Sequence, residues 1–283
     1  MNSFDSTAER RSQLEFLAQM RDTLAAGITE LPAFPQVVIK VQEAYKDPNY
    51  TPQLVARLVS AEPMLARRLL DMANSVAFNA TGRVIIDLGL ALTRLGAQKV
   101  YGVVLAYAIQ DIRRTESLRS VAGRMDELWS DSATVAHFSQ MVAQRTSLPT
   151  PEAFVAGLLH LMGRLYILVQ CAERQVVLSN DLVDAWHPMI AKAVLKNWGM
   201  NEEVCGAVGA QAEVDVARTG SASLTDVLVT AIRLARRLKN QYEDISLSAG
   251  GVLARLNLSI EECQSLVNDA AADVRALERT LRS

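Results

Sequence analysis

His160 and Arg164 stand four residues apart in the apolar stretch FVAGLLHLMGRLYIL, residues 154–168. An imidazole and a guanidinium one helical turn apart share a face. Imidazole binds metals and moves protons. Guanidinium grips phosphate through paired hydrogen bonds. On a single helix over residues 152–170, Glu152, His160, Arg164 and Gln170 fall within one third of the wheel, with Ala153, Ala156, Gly157 and Gly163 in the same sector. The segment reads as a buried helix with a small-residue face that a neighbouring helix can cover. The residue after His160 is Leu161, so the imidazole has no acid beside it.

Other candidates are sparse. His137 reads as a helix-surface or boundary residue, and His187, before Pro188, as a helix-start residue. There is no GxSxG elbow, phosphate loop or Gly-rich dinucleotide turn. Cys171, Cys205 and Cys263 lie far apart without CxxC spacing, which points to a reducing compartment and a cytoplasmic protein. Asp71 and Asn74 are candidates for a polar network; the plainer reading has Asn74 and Ser75 serving helix-end carbonyls or the following loop.

The whole chain narrows the options. Its 283 residues are half apolar and carry a net charge of −2. That balance argues against a general nucleic-acid binder, because phosphate affinity needs clustered Lys and Arg. The pairs Arg67-Arg68, Arg113-Arg114 and Arg236-Arg237 are scattered among acids and read as solvated faces. The start is polar, and residues 154–169 are interrupted by His160 and Arg164 and are too short for a membrane span, so no membrane partner is expected.

The elements that must position these residues are helical almost throughout. Pro52, Pro63, Pro151 and Pro188 mark first helical turns. Asp87 and Asn201 are N-caps, Ser259 and Glu262 form a capping box, and Gly27, Gly96 and Gly199 close helices. Residues 31–36, LPAFPQ, are partly extended. They follow an N-terminal helix over residues 6–26 with Leu14, Leu17, Met20 and Leu24 on one stripe. A C-terminal helix from Ile260 carries Cys263, Val267, Ala270, Val274, Leu277 and Leu281 on a seam, expected to dock on the chain's own core rather than on a second copy.

GLLHLMGRLYIL resembles the GLLHDIGKL segment of HD-domain phosphohydrolases, and more closely that of the HDOD family, a bacterial signalling module built on the same frame. Residues 31–78, with Ala73-Asn74-Ser75 near their end, resemble that family's N-terminal half. Residues 85–106, with Leu95-Gly96, and residues 187–208, with Trp198-Gly199, resemble its later segments. The resemblance spans residues 31–240. It implies an all-α multi-helix bundle: an N-terminal helix (1–30), a helical subdomain (31–118) and a degenerate HD-like subdomain (119–283).

HD hydrolases cage one or two metals with an early His, an adjacent His-Asp pair, further histidines and a distant Asp, leaving a place for an activated water. Carried over by resemblance, these positions are Asp131, His160-Leu161, Gln211 and Arg236. Leu161 cannot ligate, and Arg236 brings positive charge towards a cation. The expectation is therefore no bound metal, no cofactor and no hydrolysis. The implied function is a signal-transduction adaptor acting through contacts with partners such as sensor kinases or cyclic-di-GMP enzymes. Two alternatives stay open: a metal-dependent phosphohydrolase with a reduced Asp131–His160 site, and a pocket that binds a nucleotide without hydrolysing it, where Arg164 and Arg236 meet phosphate. The competing expectation for these arginines is ion pairing with Glu152 or Asp131.

Overall fold

The computed structural model describes residues 3–28, 36–75, 78–79, 82–113, 121–212, 220–239 and 251–270. Among the described residues there is no strand. The chain divides into two compact units, Ala33–Arg114 on the one hand and Met1–Pro32 with Thr115–Ser283 on the other.

The smaller unit contains α2 (Gln36–Lys46), α3 (Pro52–Ser60), α4 (Pro63–Asn74), α5 (Leu88–Leu95) and α6 (Ala97–Arg113). Local chemistry sets their ends. Thr51 accepts a hydrogen bond from the Leu54 N–H ahead of Pro52, and Asp87 accepts one from the Leu90 N–H. Gly96 ends α5 at φ +76°, where a side chain would be strained. Val38, Val41, Val55, Val59, Leu65, Leu69, Val100 and Val104 are fully buried. Burying each such side chain is worth about 1.5–3 kcal/mol.

Asn74 ties the end of α4 to the following loop. Its Nδ2 donates to the Leu70 carbonyl at 3.0 Å and the Ile85 carbonyl at 2.8 Å, and its Oδ1 accepts from the Ile85 N–H at 2.7 Å. Ile85 is thereby held inward while Val84 and Ile86 stay 77% and 86% exposed. The expected extended stretch 31–36 lies outside the described residues except Gln36, which opens α2.

The larger unit comprises α1 (Ser3–Ala25), α7 (Ala122–Thr146), α8 (Thr150–Leu159), α9 (Met162–Arg174), α10 (Asn180–Asn197), α11 (Glu202–Gly209), α12 (Leu224–Lys239) and α13 (Val252–Leu256), with a last helical run over 260–270. Helix α1 packs on α10, and Asn197 donates from Nδ2 to the Leu24 carbonyl at 3.0 Å. Leu17, Met20 and Leu24 are buried as their spacing requires, but Leu14 is 38% exposed and Phe16 takes its place. At 100° per residue Phe16 lies nearer the centre of that stripe than Leu14 does.

Two expectations about helix boundaries are corrected. Residues 152–170 are not one helix: α8 ends at Leu159, His160 and Leu161 form a turn, and α9 begins at Met162. Pro188 does not start a helix but lies inside α10. It removes the hydrogen bond that its own N–H would give the Asp184 carbonyl, an interior cost of about 3 kcal/mol. Burial of Leu182, Ile190, Ala191, Val194 and Leu195 on the same helix offsets it.

The stretch Thr150–Arg174 is long and apolar enough by composition to cross a membrane, yet 72% of its most apolar window is buried within the protein. It forms the core of the larger unit. The capping box at 260–270 is present: the Ser259 N–H donates to Glu262 at 2.8 Å and the Glu262 N–H to Ser259 Oγ at 3.1 Å. Cys263, Leu266, Val267 and Ala270 are buried, and Arg237 on α12 reaches Gln264 at 3.0 Å, so this run docks on its own unit. Val274, Leu277 and Leu281 lie outside the described residues.

Candidate functional site

The turn between α8 and α9 is made by what packs on either side of it. A Cβ at Gly157 would come within 2.6 Å of the Ala136 Cα on α7. A Cβ at Gly163 would collide with the His187 carbonyl of α10. The expected small-residue face is therefore covered by backbone, but by two different helices. Helix α8 follows α7 and α9 follows α10, and residues 160–161 absorb the change of direction, with Leu161 at φ −94° and ψ 7°.

His160 and Gln211 seal this joint. The His160 ring Nδ1 lies 2.6 Å from the Gly157 carbonyl. A carbonyl only accepts, so Nδ1 carries the proton. Gln211 Nε2 donates to the His160 carbonyl at 2.9 Å and to the Val208 carbonyl at 2.8 Å. It thus satisfies acceptors at the ends of α8 and α11 that no helical N–H reaches. Both residues are buried, at 4% and 7% exposure. His160 is thus a buried, hydrogen-bonded residue of the core.

Beside the joint lies a cleft of about 280 Å³ lined by Asp131 and Thr134 of α7, His160, Leu161 and Arg164 at the joint, and Arg236 and Lys239 of α12. Four of the five positions carried over from the HD pattern, Asp131, His160, Leu161 and Arg236, thus share one cleft, and the fifth, Gln211, touches it through the His160 backbone. The ion pairs differ from expectation. Arg164 pairs with Asp184 of α10, not with Glu152 or Asp131, because α9 lies along α10. Asp131 pairs with Lys239. Among the described residues Arg236 makes no ion pair.

Burial pushes the His160 imidazole down to about 4, assisted by Arg164 and Arg236 and opposed by the Gly157 hydrogen bond and Asp131. Burial likewise pushes His187 down to about 3, with Arg164, His160 and Arg236 adding to the effect. Both rings are neutral near pH 7. His187 was read as a helix-start residue; it is instead buried in the middle of α10. His137 is half-buried on α7, at the boundary as read.

The donor set does not fit a resident cation. Asp131 is engaged by an ammonium, the His160 Nδ1 by a carbonyl and the Gln211 amide by two carbonyls; Leu161 is hydrocarbon, and Arg236 adds positive charge. Among the described residues no three His, Cys, Asp or Glu side chains are grouped to hold a metal. Sequence reading missed Lys239, Thr134 and Asp184. Lys239 had a signal, since it lies three residues after Arg236 and shares its helix face. Asp184 had none, because its partner is 20 residues away on another helix.

The HDOD domain model matches residues 31–214, and the chain belongs to the HDOD family. A candidate metal-dependent phosphohydrolase from Shewanella amazonensis SB2B has a similar structure, with a TM-score of 0.66 at 21% identity over 95% of this chain and 99% of that one. An HDOD domain protein of unknown function from Geobacter sulfurreducens aligns with a TM-score of 0.67 at 20% identity over 95% and 98% of the two chains. A candidate signal transduction protein from Marinobacter aquaeolei VT8 gives 0.67 at 21% identity, covering all of this chain and 68% of that one. An uncharacterized protein of Treponema pallidum (strain Nichols) is 22% identical over 202 residues, 66% of this chain. The chain spans 38% of that relative's length.

Proposed function

We propose that this protein is a non-catalytic signal-transduction adaptor that acts through protein–protein contacts. One observation carries the reading. Where an HD hydrolase places its ligand-bearing side chains, this chain has a carboxylate neutralised by Lys239, an imidazole tied to Gly157, a leucine and an amide that closes a helix joint. The polar members of this set hold the fold together. The similarity to a candidate signal transduction protein supports the signalling context. The three free thiols support a cytoplasmic setting.

Sensor kinases and cyclic-di-GMP enzymes are the partner classes this reading favours. The outward pair Val84 and Ile86, held by the Asn74 clasp, gives the smaller unit an exposed apolar edge for such a contact. The test is direct binding of the purified full chain to purified kinase and cyclase domains from the same genome, followed by their activity with and without it. The expected result is saturable binding to at least one domain, a change in that domain's output and loss of both in Ile86→Glu. Failure to bind any of them, together with metal-dependent phosphodiesterase turnover by the chain itself, overturns the reading.

A further inference from the structure

We infer that residues 83–87 form a free strand edge that pairs antiparallel with the same residues of a second copy of this chain. This adds a self-contact to the edge that the adaptor reading offers to a signalling domain, so a second copy and such a partner compete for it. The segment Arg83-Val84-Ile85-Ile86-Asp87 runs with no helix, turn or bend. Val84 and Ile86 are exposed while Ile85 between them is buried, the alternation of an extended strand. Two asparagines hold one side of it as a neighbouring strand would. Asn74 accepts from the Ile85 N–H and donates to the Ile85 carbonyl, and Asn79 Nδ2 donates to the Arg83 carbonyl at 2.8 Å. Asn79 is fixed in turn by Arg94, whose Nη1 donates to its Oδ1 at 2.8 Å. Backbone groups alternate in direction along an extended chain, so those of Val84 and Ile86 point to the opposite side. Among the described residues neither their N–H groups nor their carbonyls have a hydrogen-bond partner.

An unpaired edge of β-branched residues is a template for another strand. The sequence of this edge selects its own copy. Antiparallel pairing about a two-fold axis at Ile85 sets Val84 opposite Ile86 and Arg83 opposite Asp87. Each β-branched side chain then covers another, and a pair of opposite charges closes each end. The free backbone groups of Val84 and Ile86 are the ones this register uses, because the two residues exchange both hydrogen bonds with their opposites. Parallel pairing in register sets Arg83 beside Arg83 and Asp87 beside Asp87, and a two-residue shift of the antiparallel register removes both charge pairs. Arg83 is exposed and makes no ion pair among the described residues. Asp87 uses Oδ1 to cap α5 through the Leu90 N–H at 2.7 Å, which leaves its second oxygen for a guanidinium. Two short segments bury a small area, which fits a dissociable contact rather than a permanent dimer.

The experiment is sedimentation velocity of the full chain over a concentration series, with circular dichroism of each variant to check its fold. A reversible monomer–dimer equilibrium in the micromolar range is expected. Ile86→Pro removes a ladder N–H that has no partner within the chain, and Arg83→Glu sets like charges opposite each other. Each is expected to weaken the dimer by at least about tenfold, while Lys40→Glu, a charge reversal at an exposed position of α2, leaves it unchanged. Cross-linking reads the register. In the paired strands position 84 of one copy lies about 5.5 Å from position 86 of the other between Cα atoms, and about 9 Å from position 84. Oxidation is expected to link a mixture of the Val84→Cys and Ile86→Cys chains, and to link neither variant alone, with the native chain and its own three thiols as the blank. A chain that stays monomeric up to about 1 mM overturns the inference. So does a dimer that either Ile86→Pro or Arg83→Glu leaves unchanged, or a mixture that cross-links no faster than either cysteine variant alone. Sedimentation needs no partner protein, so it succeeds or fails independently of the adaptor reading.

Discussion

Gln211 donates its side-chain amide to the backbone carbonyl of His160, 51 residues away in sequence, at 2.9 Å. The contact links α11 to the turn between α8 and α9 and shares its donor group with the Val208 carbonyl. A position that resembles a ligand site is therefore a structural fastener.

Gln211→Leu leaves two buried carbonyls without this donor. The change is expected to destabilise the protein by about 1–3 kcal/mol. Urea denaturation followed by circular dichroism measures it, and a midpoint equal to that of the native chain would remove the fastener role.

Glycine substitutions report on the close approaches that create the turn. Gly157→Ala forces a Cβ into the α7 backbone, and Gly163→Ala forces one into the α10 backbone. Each is expected to cost about 1–3 kcal/mol or more, with Gly163→Ala the worse. Gly123→Ala, where a Cβ meets nothing within 4 Å on an exposed position of α7, is expected to stabilise by about 0.4–1 kcal/mol. Thermal melts of the three variants give the order directly.

Much of the fold is legible in the sequence because its punctuation is local. Asp87, Asn201 and the Ser259–Glu262 box act within three or four residues of themselves, and each caps the helix expected of it. The turn at residues 160–161 has no such marker. It contains neither Gly nor Pro and is imposed by α7, α10 and Gln211, all distant in sequence. Pro188 misled for the complementary reason: a local start signal was overridden by burial of the helix around it. For the cleft, resemblance brought together Asp131, His160, Leu161 and Arg236, whereas the pairing of their charges depended on Lys239 and Asp184 and needed three dimensions.

Acid should loosen the larger unit in a defined window. His160 and His187 have folded-state values of about 4 and about 3, below the ordinary 6.5. The unfolded chain takes up protons on these rings first, so stability is full above about pH 6.5 and falls as pH drops towards the folded values. Each ring contributes a slope of up to about 1.4 kcal/mol per pH unit. Asp226, held low by its hydrogen bonds to Arg255 and Ser223 against its burial, loses its contribution only below its ordinary 3.8. Urea midpoints at about pH 7, pH 5.5 and pH 4.5 separate the two effects. A flat profile across that range would contradict the neutral buried rings.

The polar side chains of the cleft are committed to the protein rather than to a cation. The most direct measurement is elemental analysis of the purified full chain after exposure to manganese, iron and zinc and removal of free ions. Less than about one ion per ten chains is expected, unchanged by His160→Ala or Asp131→Asn. A content near one ion per chain that disappears in either variant would contradict it.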